Sequence, residues 1–243
     1  MINSLILSYN SRVNGSAVRP TRLLLRIIIN NIKPQPTEYK QARENMTDTS
    51  NVTNTHNGHE FVDLGLPSGT LWATCNVGAT SPEQRGLFFA FGETKGYSAE
   101  QVKKGERSFD FGSYDASSIS GNLTLEQDAA HSYMGGNWRM PTKRQFMELI
   151  ENCVVSWEKN YNGTGVAGRV FTSKINGNSV FFPAAGYCTG TSVHDVDLCG
   201  YHWPASWYSS SNAWYLHFCF KYIDVDLTIF RYYGHSVRGV CKK

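Results

Sequence analysis

The chain has 243 residues, enough for one full domain with a sizeable core and something extra at an end. A hydrophobic share of 41% and a charged share of 18% are those of a folded protein and exclude a disordered one. The net charge is only +3 and no dense Lys/Arg stripe occurs in the folded part, which argues against nucleic acid as a partner.

At the start of the chain, Leu23-Leu24-Leu25-Arg26-Ile27-Ile28-Ile29 is an apolar run broken by an arginine. It falls well short of the roughly 20 apolar residues a membrane helix needs, so no membrane insertion is expected. It also lacks the clean apolar centre and small-residue cleavage site of a signal peptide, so no compartment follows from it. Met46 opens a sensible start just before the folded part, and residues 1–45 read as upstream sequence, as a tail or as an oligomerisation segment. Residues 47–58 are rich in Thr, Asn, Ser and Asp and read as a linker. The expected division is a tail and linker over 1–58 and one domain over 59–243.

Strands are expected at His59–Leu64, at Thr70–Val77 after the turn Leu66-Pro67-Ser68-Gly69, and in the short run Leu87–Gly92. Residues 95–120 read as a long polar surface excursion. Two short helices follow. Thr124-x-x-Gln127 and Thr142-x-x-Gln145 both have capping-box spacing, and Phe146, Leu149, Ile150 and Cys153 line one face of the second helix. Next, Val170–Ile175 and Asn178–Phe182 flank Asn176-Gly177, which predicts a hairpin with a type I′ turn. High Gly (22), Tyr (13) and Phe (13) agree with short strands and many turns. Six cysteines are spread singly with no CxxC pair, so the reading is free thiols, mostly buried, with no structural zinc motif. No Walker loop or HExxH occurs, and no cofactor is expected.

The composition changes between Tyr187 and Tyr233. This block is crowded with Tyr, Trp, Phe, His, Asp, Ser and Cys, contains no Glu, Gln or Met, and has Lys221 as its one lysine. Aromatics give contact area at low entropy cost while Ser, Asn and Asp give adaptable hydrogen bonds, the chemistry of a recognition surface. The same set is what free replacement of adenines in Asn codons would yield: Tyr, His, Asp, Ser, Cys, Phe, Leu, Ile and Val are reachable, whereas Glu, Gln, Met, Lys and Trp are not. The runs Val193–Cys199 and Tyr222–Phe230 fit this, while Trp203, Trp207, Trp214 and Lys221 would be template-fixed. In Tyr215–Phe220, period-two alternation is expected to turn Leu216 and Phe218 inward and Tyr215, His217 and Cys219 outward.

Four fragments, Phe61–Ala73, Gly136–Thr142, Phe182–Tyr187 and Ser236–Val240, taken in order, resemble the major-paralogous-domain family of gut bacteria and their phages. That family is related to the formylglycine-generating-enzyme type of C-type-lectin fold. The resemblance covers roughly residues 59–241 and implies an α+β C-type-lectin-like fold: two short helices against small antiparallel or mixed sheets, with long loops. It is also similar to the variable proteins of diversity-generating retroelements, in which a C-terminal segment is rewritten before a fixed closing strand. A ligand- or receptor-binding protein is then implied, such as a phage tail-tip or cell-surface display binder for a protein or glycan. Carried onto this chain, the variable surface comprises His194, Asp195, Asp197, His202, Trp207, Tyr208, Trp214, Tyr215, His217, Cys219, Phe220, Tyr222, Asp224, Asp226, Ile229, Phe230, Tyr232 and Tyr233. Trp207 and Trp214 belong by location only.

Two other readings compete with this one. A bacterial surface or secreted module with a fixed ligand would carry the same block as inherited composition. A formylglycine-generating-type oxidase would need a reactive cysteine pair, and Cys219 and Cys241 do not sit in that family's motif. The acids Asp195, Asp197, Asp224 and Asp226 suit calcium, but the sugar-binding Glu-Pro-Asn and Trp-Asn-Asp motifs are absent, and variable surface acids are the reading. Trp138 and Arg139 are expected in the scaffold, the first burying its ring, the second stacking or holding a carboxylate.

Overall fold

An Asn-Gly pair sets the first hairpin in the computed structural model, which describes residues 54–242 apart from 116 and 118. β1 (Asn54–His56) and β2 (His59–Asp63) run antiparallel with His56 opposite His59. Asn57 (φ 48°) and Gly58 (φ 79°) both take the positive φ that a two-residue type I′ turn demands. The end of the expected linker is therefore a strand and a turn, so the folded part begins before residue 59. The readings of residues 1–45, of Leu23–Ile29 and of Met46 lie outside the described residues.

β3 (Thr70–Asn76) pairs with β2 on one side and with the closing strand β14 (Arg238–Lys242) on the other, giving a four-stranded sheet β1-β2-β3-β14. Both ends of the domain thus meet in one sheet. β14 is also where the chain buries Arg238, whose guanidinium donates to Asn76 Oδ1 at 2.9 Å, Ala73 O at 2.9 Å and Phe181 O at 3.0 Å.

The polar stretch 95–120, expected as a surface excursion, contains a helix. α1 (Ala99–Lys103) is closed by a capping box between Ser98 and Gln101. Val102 and Phe109, isolated among polar residues, are fully buried and pin the excursion to the body. Of the two expected helices, the Thr124-x-x-Gln127 box organises only a 3-10 turn, and α2 (Ala129–Met134) starts from Asp128 instead. The Asp128 carboxylate accepts from His131 N, capping the helix, and from Met140 N, tying its start to the strand-like segment before α3. α3 (Lys143–Asn152) begins at Thr142 as read, with Phe146 and Leu149 buried.

β5 (Cys153–Glu158), β6 (Gly168–Ser173) and β7 (Ser179–Pro183) form a three-stranded antiparallel sheet. The β6–β7 hairpin forms where expected, but not on a two-residue turn: Thr172 faces Ser179, and only Gly177 has positive φ. Asn176 and Asn178 both donate their side-chain amides to Asp63 O, and Ser173 Oγ donates to Leu64 O, so docking onto the end of β2 widens the loop.

The last third builds a two-stranded ribbon, β8 (Tyr187–Thr189) with β9 (Ser192–His194), and the larger part of a five-stranded mixed sheet. Its order is β12 (Ile223–Phe230), β11 (Asn212–Cys219), β10 (Cys199–His202), β13 (His235–Ser236) and β4 (Phe88–Phe89). Only β10 and β13 pair in parallel. α3 lies against this sheet and the β5–β7 sheet, closing a core of Trp72, Phe146, Leu149, Phe171, Phe182, Leu216 and Phe218. The architecture is α+β, with few helices and several small sheets.

Candidate ligand-binding face

Register decides which side chains of the aromatic block share a face. Tyr201 pairs with His217, Cys199 with Cys219 and Tyr215 with Leu227, so period two puts Tyr201, Tyr215 and His217 on one side of the sheet. Leu216 and Phe218 occupy the other, toward α3, as the alternation predicted. β10 passes so close to Phe218 that a Cβ on Gly200 would sit 2.1 Å from its ring. Only glycine fits there.

The row Tyr215, His217 and Cys219 was expected to face out, and here the structure corrects the reading. Tyr215 and His217 are only 9% and 8% exposed. Tyr201 covers them, its ring 4.4 Å from that of His217 and 6.0 Å from that of Tyr215. Tyr187, from β8, lies 4.8 Å from Tyr201 and is itself flanked by His194 at 5.2 Å and Tyr233 at 5.8 Å. These stacked and tilted rings form a layer in which aromatic side chains bury one another. Burial lowers the His217 pKa against the opposing pull of Asp195 and Asp224.

His202 is not on this surface at all. Its side chain falls on the α3 side, fully buried, with its ring 5.1 Å from Phe182 and its Nε2 3.2 Å from Asn76 Oδ1. Cys219 is bonded to Cys199, with Cα atoms 4.3 Å apart at directly opposed register positions. This corrects the reading of free thiols for these two. Cys75, Cys153, Cys188 and Cys241 are free, and burial pushes the Cys153 and Cys241 thiols up to about 11. Cys219 and Cys241 accordingly do not form a pair.

The acids are tied in rather than free. Asp195 and Asp197 sit in a turn with φ of 57° and 61°, a conformation Asp tolerates. The Asp195 carboxylate accepts the Tyr201 hydroxyl at 2.6 Å, and Asp197 accepts Arg85 Nη2 at 2.7 and 2.8 Å. Asp224 faces His217 and accepts Asp226 N at 2.8 Å. Asp226, more exposed, pairs with Lys143 at the start of α3. Lys143 Nζ also lies 3.4 Å from the centre of the Trp214 ring, which Tyr208 meets edge-on at 4.7 Å. Trp214, Tyr208 and Asp226 therefore gather around Lys143, apart from the tyrosine layer.

The remaining candidates lie on loops and strand ends. Trp207 is half-buried and its backbone N donates to Asn122 Oδ1. Phe220 and Tyr222 project from the β11–β12 hairpin, whose loop is held by Arg169 Nη2 donating to Cys219 O at 2.6 Å. Ile229 is half-buried opposite Ala213. At the end of β12, Phe230 stacks on Tyr232 at 5.2 Å, and Tyr232 in turn touches Tyr233 and Phe111. A cleft of about 490 Å³ opens here between Phe111, Tyr114, Ser210, Ser211, Phe230 and Tyr232.

Sequence reasoning missed the anchors of this region. Arg231 lies within the block yet is buried, donating to Ser210 O at 2.8 Å and Tyr114 OH at 3.2 Å. Phe111 lies outside the block, in the excursion read as merely polar, and joins the surface by its contact with Tyr232. In the scaffold, Trp138 buries its ring as expected, but Arg139 donates to the carbonyls of Gly136 and Trp138 and meets His131 Nδ1 at 2.8 Å. No described helix is long and apolar enough to cross a membrane. No protein-family model, curated protein or solved structure matches the chain.

Proposed function

We propose that this chain is a C-type-lectin-like binding protein, similar to the variable proteins of diversity-generating retroelements, that engages a protein or glycan receptor and catalyses no reaction. The adjacency of the first and last strands in one sheet, with few helices and small sheets between, supports the fold assignment. One observation carries the function. The most exposed candidates, Tyr208, Phe220, Tyr222, Asp226 and Phe230, sit on loops, a strand edge or a strand end, while the sheet behind them is fixed by a ring layer and buried Arg231. Rigid aromatic contacts on a preorganised support bind at low entropic cost, and their replacement leaves the support standing.

A second reading is a surface or secreted module with one fixed ligand. It is favoured by the tying-in of His202, Tyr215, His217, Asp195 and Asp197, which free replacement would unseat. The Cys199–Cys219 bond suits an oxidising compartment under either reading.

Deep sequencing of the gene and its flanks across a population of the source separates the two. Diversified binding requires changes concentrated in the codons of Tyr208, Phe220, Tyr222, Asp226 and Phe230, sparing Trp203, Gly200 and Arg231. A nearby imperfect repeat with adenines at the changed positions, and a reverse-transcriptase gene, must accompany them. Uniform variation without either would sink that reading and leave the fixed-ligand module.

A further inference from the structure

The Cys199–Cys219 bridge closes at a place where three metal-ligating side chains converge. Cys199 Sγ, Cys219 Sγ and a ring nitrogen of His217 all lie within 4.8 Å of one another. The closest of these approaches, His217 Nε2 to Cys219 Sγ, is 3.3 Å. A tetrahedral ion with bonds of about 2.3 Å to sulfur and about 2.0–2.1 Å to nitrogen needs its ligand atoms about 3.5–3.8 Å apart. His217 and Cys219 are thus near that spacing already, while the two sulfurs are too close because they are bonded. We propose that reduction of the Cys199–Cys219 disulfide converts this spot into a zinc(II) site with Cys199, Cys219 and His217 as protein ligands.

Both strands are already built to present the ligands. Cys199 and Cys219 are directly opposed in the β10–β11 ladder, and His217, two residues before Cys219, points to the same face. The His217 ring is held on one side by Tyr201, stacked at 4.4 Å and 20°, and on another by Tyr222, whose hydroxyl lies 3.3 Å from Nδ1 and 3.4 Å from Nε2. With Nε2 on the metal, the hydroxyl is left to Nδ1, and an outer hydrogen bond of that kind orients a ligating imidazole. Solvent is the source of a fourth, oxygen ligand. Both cysteines are half-exposed, so a small reductant and an ion reach them.

The chemistry balances as follows. A dithiol or phosphine reductant supplies two electrons, and two protons come from solvent, breaking the S–S bond and leaving two thiols. Zinc(II) then displaces one proton from each thiol to solvent, giving a site of two thiolates and a neutral imidazole whose net charge is zero. Thiolate and imidazole are the donor set zinc prefers, and three protein ligands leave one position open. The absence of CxxC spacing hides the site from the sequence, since the two cysteines are 20 positions apart and only strand register joins them.

The test titrates zinc into the full chain, oxidised and phosphine-reduced, against a chromophoric chelator, with far-UV circular dichroism recorded at each step. One zinc should bind after reduction and none before. His217→Ala should weaken binding by at least about tenfold, the least that loss of even an outer-shell partner costs. Cobalt(II) in place of zinc should show a thiolate charge-transfer band that Cys199→Ser diminishes. The Cys199→Ser/Cys219→Ser double variant controls for the four remaining thiols. If it takes up zinc as well as the reduced parent, or if the reduced parent stays folded without binding, the proposal fails. Should reduction unfold the chain, recovery of the dichroism signal on adding zinc supports the site, because metal binding then drives folding. No recovery overturns it.

Discussion

The two faces of the five-stranded sheet are both closed to water, but by different means. On the α3 side, Leu216, Phe218 and Val225 enter an aliphatic and aromatic core with Phe146 and Leu149. On the other side, Tyr201, Tyr215 and His217 are covered mainly by more rings, from Tyr187, Tyr233 and His235. A side chain in a core of mixed shapes is held by many neighbours on all sides. A ring in a stacked layer is held by a few, and its polar edge reaches water or a carboxylate, as the Tyr201 hydroxyl reaches Asp195. Tyr201 and Tyr215 also belong to a buried cluster with Trp203, Ala213 and Val237, so the ring layer is continuous with a second core.

The largest expected contrast is between these faces. Phe218→Ala empties a site with no exposure and should cost about 3–5 kcal/mol in urea unfolding. Tyr201→Phe keeps the ring and loses only the bond to the Asp195 carboxylate, and should cost about 1.5–3 kcal/mol. Equal losses would mean that the ring layer is as much a core as the α3 side.

The disulfide joins β10 and β11, two inner strands of the sheet, and gives the next largest effect. It spans a sequence separation of 20, and loop closure of that length is worth about 3 kcal/mol. The Cys199→Ser/Cys219→Ser variant should lose about that much without zinc, by urea unfolding. A loss under about 1 kcal/mol would mean that the β10–β11 pairing holds without the bond.

Each side also carries a buried histidine, and the two respond to pH alike. Burial, aided by Arg238, holds the His202 pKa well below 6.5, and burial, aided by His202 and His217, does the same for His235. Both are therefore neutral in the fold, whereas in the unfolded chain they take up protons below about pH 6.5. The unfolded state binds more protons there, so stability falls as pH drops below 6.5 and is unaffected by these groups above it. Each contributes a slope of up to about 1.4 kcal/mol per pH unit. Urea unfolding at pH 7.5, 6.0 and 5.0 should show this bend, and His235→Leu should shrink it while leaving the His202 part. His235 faces the rings of Trp203, Tyr201, Tyr215 and Tyr187, and among the described residues neither ring nitrogen has a hydrogen-bond partner; a bend unchanged in His235→Leu would mean that His235 takes up its proton in the fold as well.

What the sequence disclosed follows the range of each signal. Local signals were legible: Thr142 and Gln145 placed the start of α3, and the alternation of Leu216 and Phe218 assigned them inward. The helix at Ala99 was equally local, with Ser98 and Gln101 in a capping box, and was passed over because the surrounding composition is polar. Asn57-Gly58 was likewise readable as a type I′ turn and was absorbed into the linker. Signals that depend on register were out of reach. Nothing in the spacing of Cys199 and Cys219 says that they face each other, and nothing around Arg231 or Arg238 says that their guanidinium groups are buried against backbone carbonyls. The outward row failed for the same reason: period two tells which side Tyr215 takes, but not whether Tyr201 lies on top of it.

The smallest expected effect is the one that bears most directly on binding. Phe220 is two residues from Phe218, on the β11–β12 loop, and is 60% exposed, touching Trp157 only by its edge at 6.3 Å. Phe220→Ser should change stability by no more than about 0.5 kcal/mol, the range of exposed substitutions away from special backbone or buried groups. Paired with the loss at Phe218, this would place the boundary between scaffold and display within a single turn of chain. A diversified surface requires that boundary, because each rewritten codon must leave the sheet intact. If Phe220→Ser instead costs more than about 2 kcal/mol, the exposed rim is part of the packing, and the fixed-ligand module becomes the better account of residues 187–233.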